Sequence, residues 1–321
     1  MPDGSFAFID LAPGEESFRD AVLSGLGREP KSLPCKFFYD TRGSSLFEAI
    51  CEVPEYYLTR AEMAILETYA GAIAERIGPY CRLIELGSGS SRKVRLLLNA
   101  LEAPVAYVPV DISRDFLRQA AANIAADFPE LQIAAVCADY TRPFELPALS
   151  GPPGKRVGFF PGSTIGNFEP EAVVGFFAHC GRLLGPGAEM LVGVDVKKDK
   201  AVLDAAYNDA AGLNAEFNLN LLHRIRKELD SDIDIAGFEH VAFYNPSEGR
   251  VELYIRSRKA QSATIAGRRF SFGEGEMIHT ENSYKYAIPE FRELAARAGF
   301  AALDTWTDRD GKFSVHYFRR D

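Results

Sequence analysis

The chain is poor in the features that metal centres, disulfide frameworks, membranes and nucleic acids require. Its five histidines (His179, His223, His240, His279, His316) form no H-x-x-x-H pair, which disfavours a metal site. Its five cysteines (Cys35, Cys51, Cys81, Cys137, Cys180) include no C-x-x-C pair. An odd, unpatterned set fits reduced thiols in a cytoplasm. Basic residues are outnumbered, 36 against 45 acids, for a formal charge of −9. Neutralising phosphates takes Lys/Arg clusters, so a nucleic-acid partner is disfavoured. No segment approaches the ~20 apolar residues of a membrane helix. The opening stretch MPDGSFAFIDLAPGEES is acidic and lacks the basic and apolar regions of a signal peptide. There is no internal repeat and no low-complexity linker. What remains is 321 residues, 47% hydrophobic and 25% charged, ordinary for a globular protein of one large or two moderate domains.

Strand and helix signals alternate through the first two thirds. Residues 59–76, TRAEMAILETYAGAIAER, read as an amphipathic helix, with Thr59 and Glu62 as a capping box. Strand runs follow at Arg82–Leu86, Ala106–Asp111, Ile133–Ala138, Arg156–Phe160 and Glu189–Val194, with helical runs between them. This alternation predicts a doubly wound α/β sheet. Near residue 200 the pattern changes. One long helical region, Lys200–Glu228, leads into HVAFYN, RVELYIRS and RRFSFG, whose period-two alternation predicts antiparallel strands. IPEFRELAARAGF then reads as a helix, and AALDTWTD with KFSVHYFRR as a closing hairpin. The expectation is a discontinuous sheet domain, 60–196 plus 287–321. A second α+β domain, 1–59 plus 197–286, is expected to cover the carboxyl ends of its strands.

The most informative stretch is RLIELGSGSSRK, Arg82–Lys93. Strand, tight glycine turn (Gly87, Ser88, Gly89, Ser90, Ser91) and helix make the layout of a nucleotide-type site. Glycine lets backbone N–H groups approach a ligand, and the helix N-terminus adds partial positive charge. The third glycine of the dinucleotide fingerprint is missing. Glu85 before the loop suits the cationic amino-acid end of S-adenosyl-L-methionine better than a pyrophosphate. Asp111 ends the next apolar run, 24 positions after Gly87, where a carboxylate accepts from ribose hydroxyls. Asp139 ends the third, where it meets an adenine amino group. The bland alternative makes Asp111 a helix N-cap and Asp139 a solvated strand-end acid. Three such positions together favour the methyl-donor site.

KFFYDTRGSSLFEAICEVPEYYLTRAE, LIELGSGSSRK, FFPGSTIGNFEP and IHTENSYKY together resemble the histidine Nα-methyltransferases of ergothioneine biosynthesis. The resemblance spans nearly the whole chain; the Y-D, P-E-Y-Y-x-T-R-x-E and P-G-S-T-I-G-N-F motifs are specific to that family and its close relatives, while the glycine loop is shared by most methyltransferases. It implies a Rossmann-like methyltransferase sheet with a separate substrate-binding domain. It also implies methylation of the α-amine of L-histidine, three times to the betaine. Asn167 then fixes the substrate's amine and carboxylate, and the Gly162 carbonyl accepts from the amine. Tyr56 is a substrate-side tyrosine. Tyr39 lies near the transferred methyl on the cofactor side. Phe47 and Tyr140 are cofactor-side aromatics, and Tyr207 binds the substrate carboxylate. Leu253 stands where some members carry methionine, a change that conserves volume. Gly87, Ser88 and Lys93 complete the cofactor set, Lys93 reaching toward the methionine carboxylate. Each residue has a plainer reading: Asn167 as an N-cap, the aromatics as core, Tyr207 on an amphipathic helix, Lys93 as a surface cation.

ENSYKY supplies the substrate test. Glu281 and Ser283 share a face of an extended segment. A carboxylate and a hydroxyl meet both nitrogens of an imidazole. An indole has one N–H and leaves Glu281 unpaired. The plain alternative is a polar edge strand with Glu281 in water. Two other functions stand beside this one: the same chemistry on another amino acid such as tryptophan, and a non-catalytic cofactor-binding regulator. The expected state is a cytoplasmic monomer with a small-molecule substrate.

Overall fold

The computed structural model describes residues 6–11, 17–89 and 91–320. Much of the acidic opening stretch, and Ser90 of the glycine loop, lie outside the described residues. The chain begins with β1 (Ala7–Asp10), α1 (Phe18–Leu26), β2 (Lys31–Ser32) and α2 (Thr41–Ile50). The alternating part follows: α3 (Leu58–Ile77), β3 (Arg82–Leu86), α4 (Arg92–Ala100), β4 (Ala106–Asp111), α5 (Arg114–Asp127), β5 (Gln132–Cys137), β6 (Arg156–Phe160), α6 (Pro170–Leu184) and β7 (Glu189–Asp195). Then come α7 (Lys200–Ala206), α8 (Leu213–Glu228), β8 (Phe238–Asn245), β9 (Arg250–Ser257), β10 (Gln261–Ile265), β11 (Arg268–Phe272) and β12 (Met277–Tyr284). The chain closes with α9 (Ile288–Arg297), β13 (Phe300–Thr307) and β14 (Phe313–Arg320). It divides into two compact units.

The first unit joins the β1 segment to residues 58–197 and 285–321. Its eight strands run in the order β1-β5-β4-β3-β6-β7-β14-β13. Strands β1 and β3–β7 pair in parallel, while β14 is antiparallel to both β7 and β13. The central strands are apolar on both faces, as a covered parallel sheet requires. Helices α3 and α4 pack together, as do α6 and α9. The order reverses between β3 and β6, and in such sheets that switch point is where ligands bind. β1 corrects the expectation that everything before residue 59 belongs to the second unit. Its four residues pair with β5 from Ala7–Ala134 to Asp10–Cys137 and extend the sheet edge.

The second unit holds α1 through Tyr57 and residues 198–284. Its four-stranded sheet runs β2-β12-β9-β8, and β10 and β11 form a separate hairpin. The sequence reads Lys200–Glu228 as one helical region, but the structure breaks it at 207–212. Asp209 accepts from the N–H groups of Leu213 and Asn214, at 2.9 and 2.8 Å, and Gly212 turns with φ of 74°. An aspartate spending itself on the next helix's first N–H groups is a start signal. Tyr207 therefore sits at the C-cap of α7, in a loop rather than on a helix face.

In β14, His316 is fully buried against the rings of Phe291 and Phe318. Ser314 and Thr305 hydroxyls lie 2.9 and 3.2 Å from its ring nitrogens. Burial, with Arg292 nearby, pushes the imidazole from 6.5 down to about 3. The unfolded chain therefore binds the extra proton between those values, and stability falls as pH falls through that window. At pH 5 the cost is about 2 kcal/mol relative to pH 7.5. His316→Gln removes this titration. Urea denaturation at the two pH values should show a smaller acid loss in the variant. An identical loss would mean that other groups carry the acid sensitivity.

Candidate active site

In the first unit the glycine loop leaves β3 and enters α4. Gly87 and Gly89 adopt φ of 76° and 47°, a region costly for other residues. The Gly87 N–H donates to the Val110 carbonyl at 2.8 Å. A Cβ on Gly87 would lie 3.5 Å from the Tyr140 ring, so the turn rests on that aromatic. Tyr140 in turn packs on Phe160 and Phe176. Ser88 is buried, and its Oγ has no hydrogen-bond partner among the described residues. A buried hydroxyl without a partner in a glycine loop is the sort of atom that a bound ligand satisfies.

Asp111 ends β4 and Asp139 follows the end of β5, the two strands that lie next in order on one side of β3. Asp111 Oδ1 accepts from Ser113 N–H at 2.8 Å, and burial raises its carboxyl from the ordinary value. Asp139 Oδ1 accepts from the backbone of Thr141 at 2.9 Å and from its hydroxyl at 2.5 Å. Neither is the N-cap of a following helix: Ser113 begins α5. The donor set fits the methyl donor: a carboxylate for ribose hydroxyls, another for an adenine amine, backbone N–H groups and a cation. Glu85 is buried with the Tyr107 hydroxyl bonded to it; burial pushes it up to about 8, while that bond and Lys93 oppose the rise, as a cationic ligand beside it would.

The sequence reading misses the best-held group of this unit. Glu62 is fully buried, and both its oxygens accept from the Gly162 N–H, at 2.8 and 3.1 Å. Lys93 Nζ lies 2.6 Å from its Oε2. Glu62 is thus no capping-box partner of Thr59. Helix α3 starts one residue earlier, at Leu58, and the carboxylate turns inward. Glycine at 193 makes room for it: a Cβ there would lie 2.0 Å from Glu62 Oε1. The Pro161–Asn167 turn is pinned twice, since the Asp195 N–H donates to the Ser163 hydroxyl at 3.0 Å. Gly162 and Ser163 have φ of 84° and 58°; glycine takes that conformation freely, whereas Ser163 is strained and such pinning maintains it. Asp195 itself pairs with Lys285 at 2.8 Å, both side chains fully buried. Asn167 ends the short helical turn at 164–167, half-buried, and Glu169 rather than Asn167 caps α6.

In the second unit the expected aromatics gather around one residue not singled out beforehand, Phe217. Tyr39 and Phe47 lie 5.5 and 5.9 Å from its ring centroid. Phe47 touches Tyr56 at 6.2 Å, and Tyr56 touches Tyr207 at 6.2 Å. The Tyr207 hydroxyl lies 2.8 Å from Ser283 Oγ, with both groups buried. Burial raises the Tyr56 phenol well above its ordinary value, and the charges of Tyr207 and Glu281 add to it. On β12, Glu281 pairs in register with Leu253 and Ser283 with Val251. β12 lies between β9 and β2 rather than at an edge, and Glu281 is half-buried.

A model of histidine-specific, S-adenosylmethionine-dependent methyltransferases matches residues 18–320. The chain belongs to that family. It is 40% identical over 306 residues to the histidine N-alpha-methyltransferase of Mycolicibacterium smegmatis, covering 94% of each chain. It is 38% identical to the histidine N-alpha-methyltransferase of Mycobacterium tuberculosis, again over 94% of each chain. Ergothioneine biosynthesis protein 1 of Neurospora crassa is 32% identical over 87% of this chain, which spans 32% of that longer protein. The chain is therefore an S-adenosylmethionine-dependent N-methyltransferase, built on the α/β sheet described above.

Breaking a buried ion pair by removing one partner costs about 3–5 kcal/mol. Glu62→Ala should destabilise the protein by about that much. Glu62→Gln, which still accepts from the Gly162 N–H, should cost less. Urea denaturation of the two variants checks this. Equal losses would show that the hydrogen bond from Gly162 contributes nothing and that the charge opposite Lys93 carries the whole effect.

Proposed function

We propose that this methyltransferase transfers methyl groups from S-adenosylmethionine to the α-amine of L-histidine, through to the trimethylated betaine of ergothioneine biosynthesis. The observation that carries the reading is the buried Tyr207–Ser283 hydrogen bond beside Glu281 on β12. The bound cofactor supplies an electrophilic methyl on a sulfonium. The protein's task is alignment and keeping the amine lone pair free, because displacement at a methyl asks for little covalent help.

In this reading Asn167 and the Gly162 carbonyl hold the amine, and Tyr39 and Tyr56 line its approach. Gly87, Ser88, Lys93, Asp111, Asp139, Tyr140 and Phe47 serve the cofactor. Lys93 meets Glu62 within the protein, so any bond to the cofactor's carboxylate is shared with that partner. Leu253 packs opposite Glu281 against the ring.

Proton counting sharpens the ring assignment. A phenol has one proton, so Tyr207 donates to Ser283 or to the substrate carboxylate, not to both. If Ser283 donates to Tyr207, the phenol proton is available to the carboxylate. Glu281 and Ser283 then both accept, and the ring binds as imidazolium. If Tyr207 donates to Ser283, the hydroxyl proton goes to a neutral ring nitrogen and Glu281 accepts from the other. The first arrangement keeps every assigned role. A tryptophan substrate has a single ring N–H for these acceptors, which favours histidine.

The same reading places the protein as a monomer in a reducing cytoplasm. None of the five cysteines is in a disulfide, and among the described residues no helix is long and apolar enough to cross a membrane. Light scattering should return the mass of one chain, 35.4 kDa.

Glu281→Ala removes a charged hydrogen bond worth roughly 1.5–3 kcal/mol, or ~10- to 150-fold in kcat/KM for histidine. It also removes the acceptor that an indole cannot satisfy. Assayed with histidine and tryptophan side by side, the variant should shift toward tryptophan. An unchanged ratio would show that Glu281 does not read the ring.

A further inference from the structure

Tyr207, at the end of α7, stands on a different element from Glu281 and Ser283 on β12, and something must hold them in common register. Behind them lies a polar cluster that the reaction itself does not use. Asn218, on α8, is fully buried. Its Nδ2 donates to the Tyr254 carbonyl at 2.9 Å and lies 2.8 Å from His240 Nδ1. Its Oδ1 accepts from Thr280 Oγ1 at 2.8 Å, and that hydroxyl also lies 3.0 Å from the Leu253 carbonyl. His240 Nε2 lies 3.0 Å from the Tyr207 carbonyl.

The donors fix the tautomer. A carbonyl only accepts, so His240 carries its proton on Nε2 and accepts from Asn218 at Nδ1. Burial, which lowers the His240 pKa, keeps the ring in that neutral form. One amide thereby joins α8 to β8, β9 and β12, and through His240 to the Tyr207 loop. Thr280 sits at the irregularity of the β9–β12 ladder, where the register shifts between His279 and Glu281. Bulges re-aim the side chains that follow them, and a slip of one residue would send Glu281 and Ser283 to the opposite face.

We infer that Asn218, Thr280 and His240 are positioning residues for substrate recognition, locking the ring-reading face of β12 to the Tyr207 loop. The inference rests on the histidine reading above. A packed apolar cluster would fill the same space. A fully satisfied polar network specifies one arrangement, and each broken link leaves a buried partner unsatisfied.

Thr280→Val preserves shape and β-branching but drops the hydroxyl. Thr280→Ser restores it. L-Histidine is titrated calorimetrically into each protein saturated with S-adenosylhomocysteine, and S-adenosylhomocysteine is titrated separately into each protein alone. Thr280→Val should weaken histidine about tenfold, the size expected for one hydrogen bond, with S-adenosylhomocysteine affinity unchanged. Thr280→Ser should recover most of the loss. His240→Phe, which keeps a ring and removes both its bonds, is the second variant should Thr280→Val fail to fold, with the same expected split. A lowered Tm with unchanged histidine affinity would make the cluster merely structural and overturn the inference. So would an equal loss of histidine and S-adenosylhomocysteine affinity. Wild-type protein that binds S-adenosylhomocysteine but not histidine would instead overturn the substrate reading.

Discussion

A single buried carboxylate organises the cofactor unit. Glu62 leaves α3, passes the bare backbone of Gly193, and ends on the Gly162 N–H and the Lys93 ammonium. Three elements that share no sequence neighbourhood thus meet at one charge: the long helix, the turn after β6, and the helix after the glycine loop. Burying such a group is costly unless every oxygen is used, and here both are. The turn it pins contains two residues of positive φ, Gly162, which adopts it freely, and Ser163, for which it is costly. The second pin, from Asp195 to Ser163, stands beside the buried Asp195–Lys285 pair. The sheet's switch point therefore carries a preset turn on one side and a glycine loop on the other.

The second unit works by the opposite means, hydrophobic contact first and polarity last. Phe217 gathers Tyr39 and Phe47, and Tyr56 and Tyr207 extend the row. At its end the Tyr207 hydroxyl meets Ser283 on β12, the strand that also carries Glu281. In the function proposed above, such a row would take an amino acid with a ring and discriminate through the few hydrogen bonds that the ring must satisfy.

Local patterns explain what was legible in the sequence. Strands β3 to β7 were readable because each is a short apolar run ending in a turn signal. The places of the glycine loop, Asp111 and Asp139 at successive strand ends were readable because each follows a short apolar run. Glu62 was not, because a carboxylate three residues after a threonine looks like a cap. Only the fold reveals that glycine at 193 admits it to the interior. The break at 207–212 was missed because Lys200–Glu228 keeps helical composition on both sides, and Asp209 reveals its capping part only once α8 is in place. β1 was too short, at four residues, to be distinguished from a loop. The Tyr207–Ser283 bond joins residues 76 apart, beyond the reach of any pattern of spacing.

The central claim is that the α-amine of histidine, and no other nitrogen, receives the methyl group. The direct measurement uses S-adenosylmethionine carrying a 13C methyl together with histidine labelled with 15N at every nitrogen. The product is read by 13C–15N correlation. Transfer to the amine predicts that every new methyl carbon couples to the α-nitrogen, with both ring nitrogens unmodified. A methyl carbon coupled to a ring nitrogen, or no labelled histidine product at all, would contradict the account.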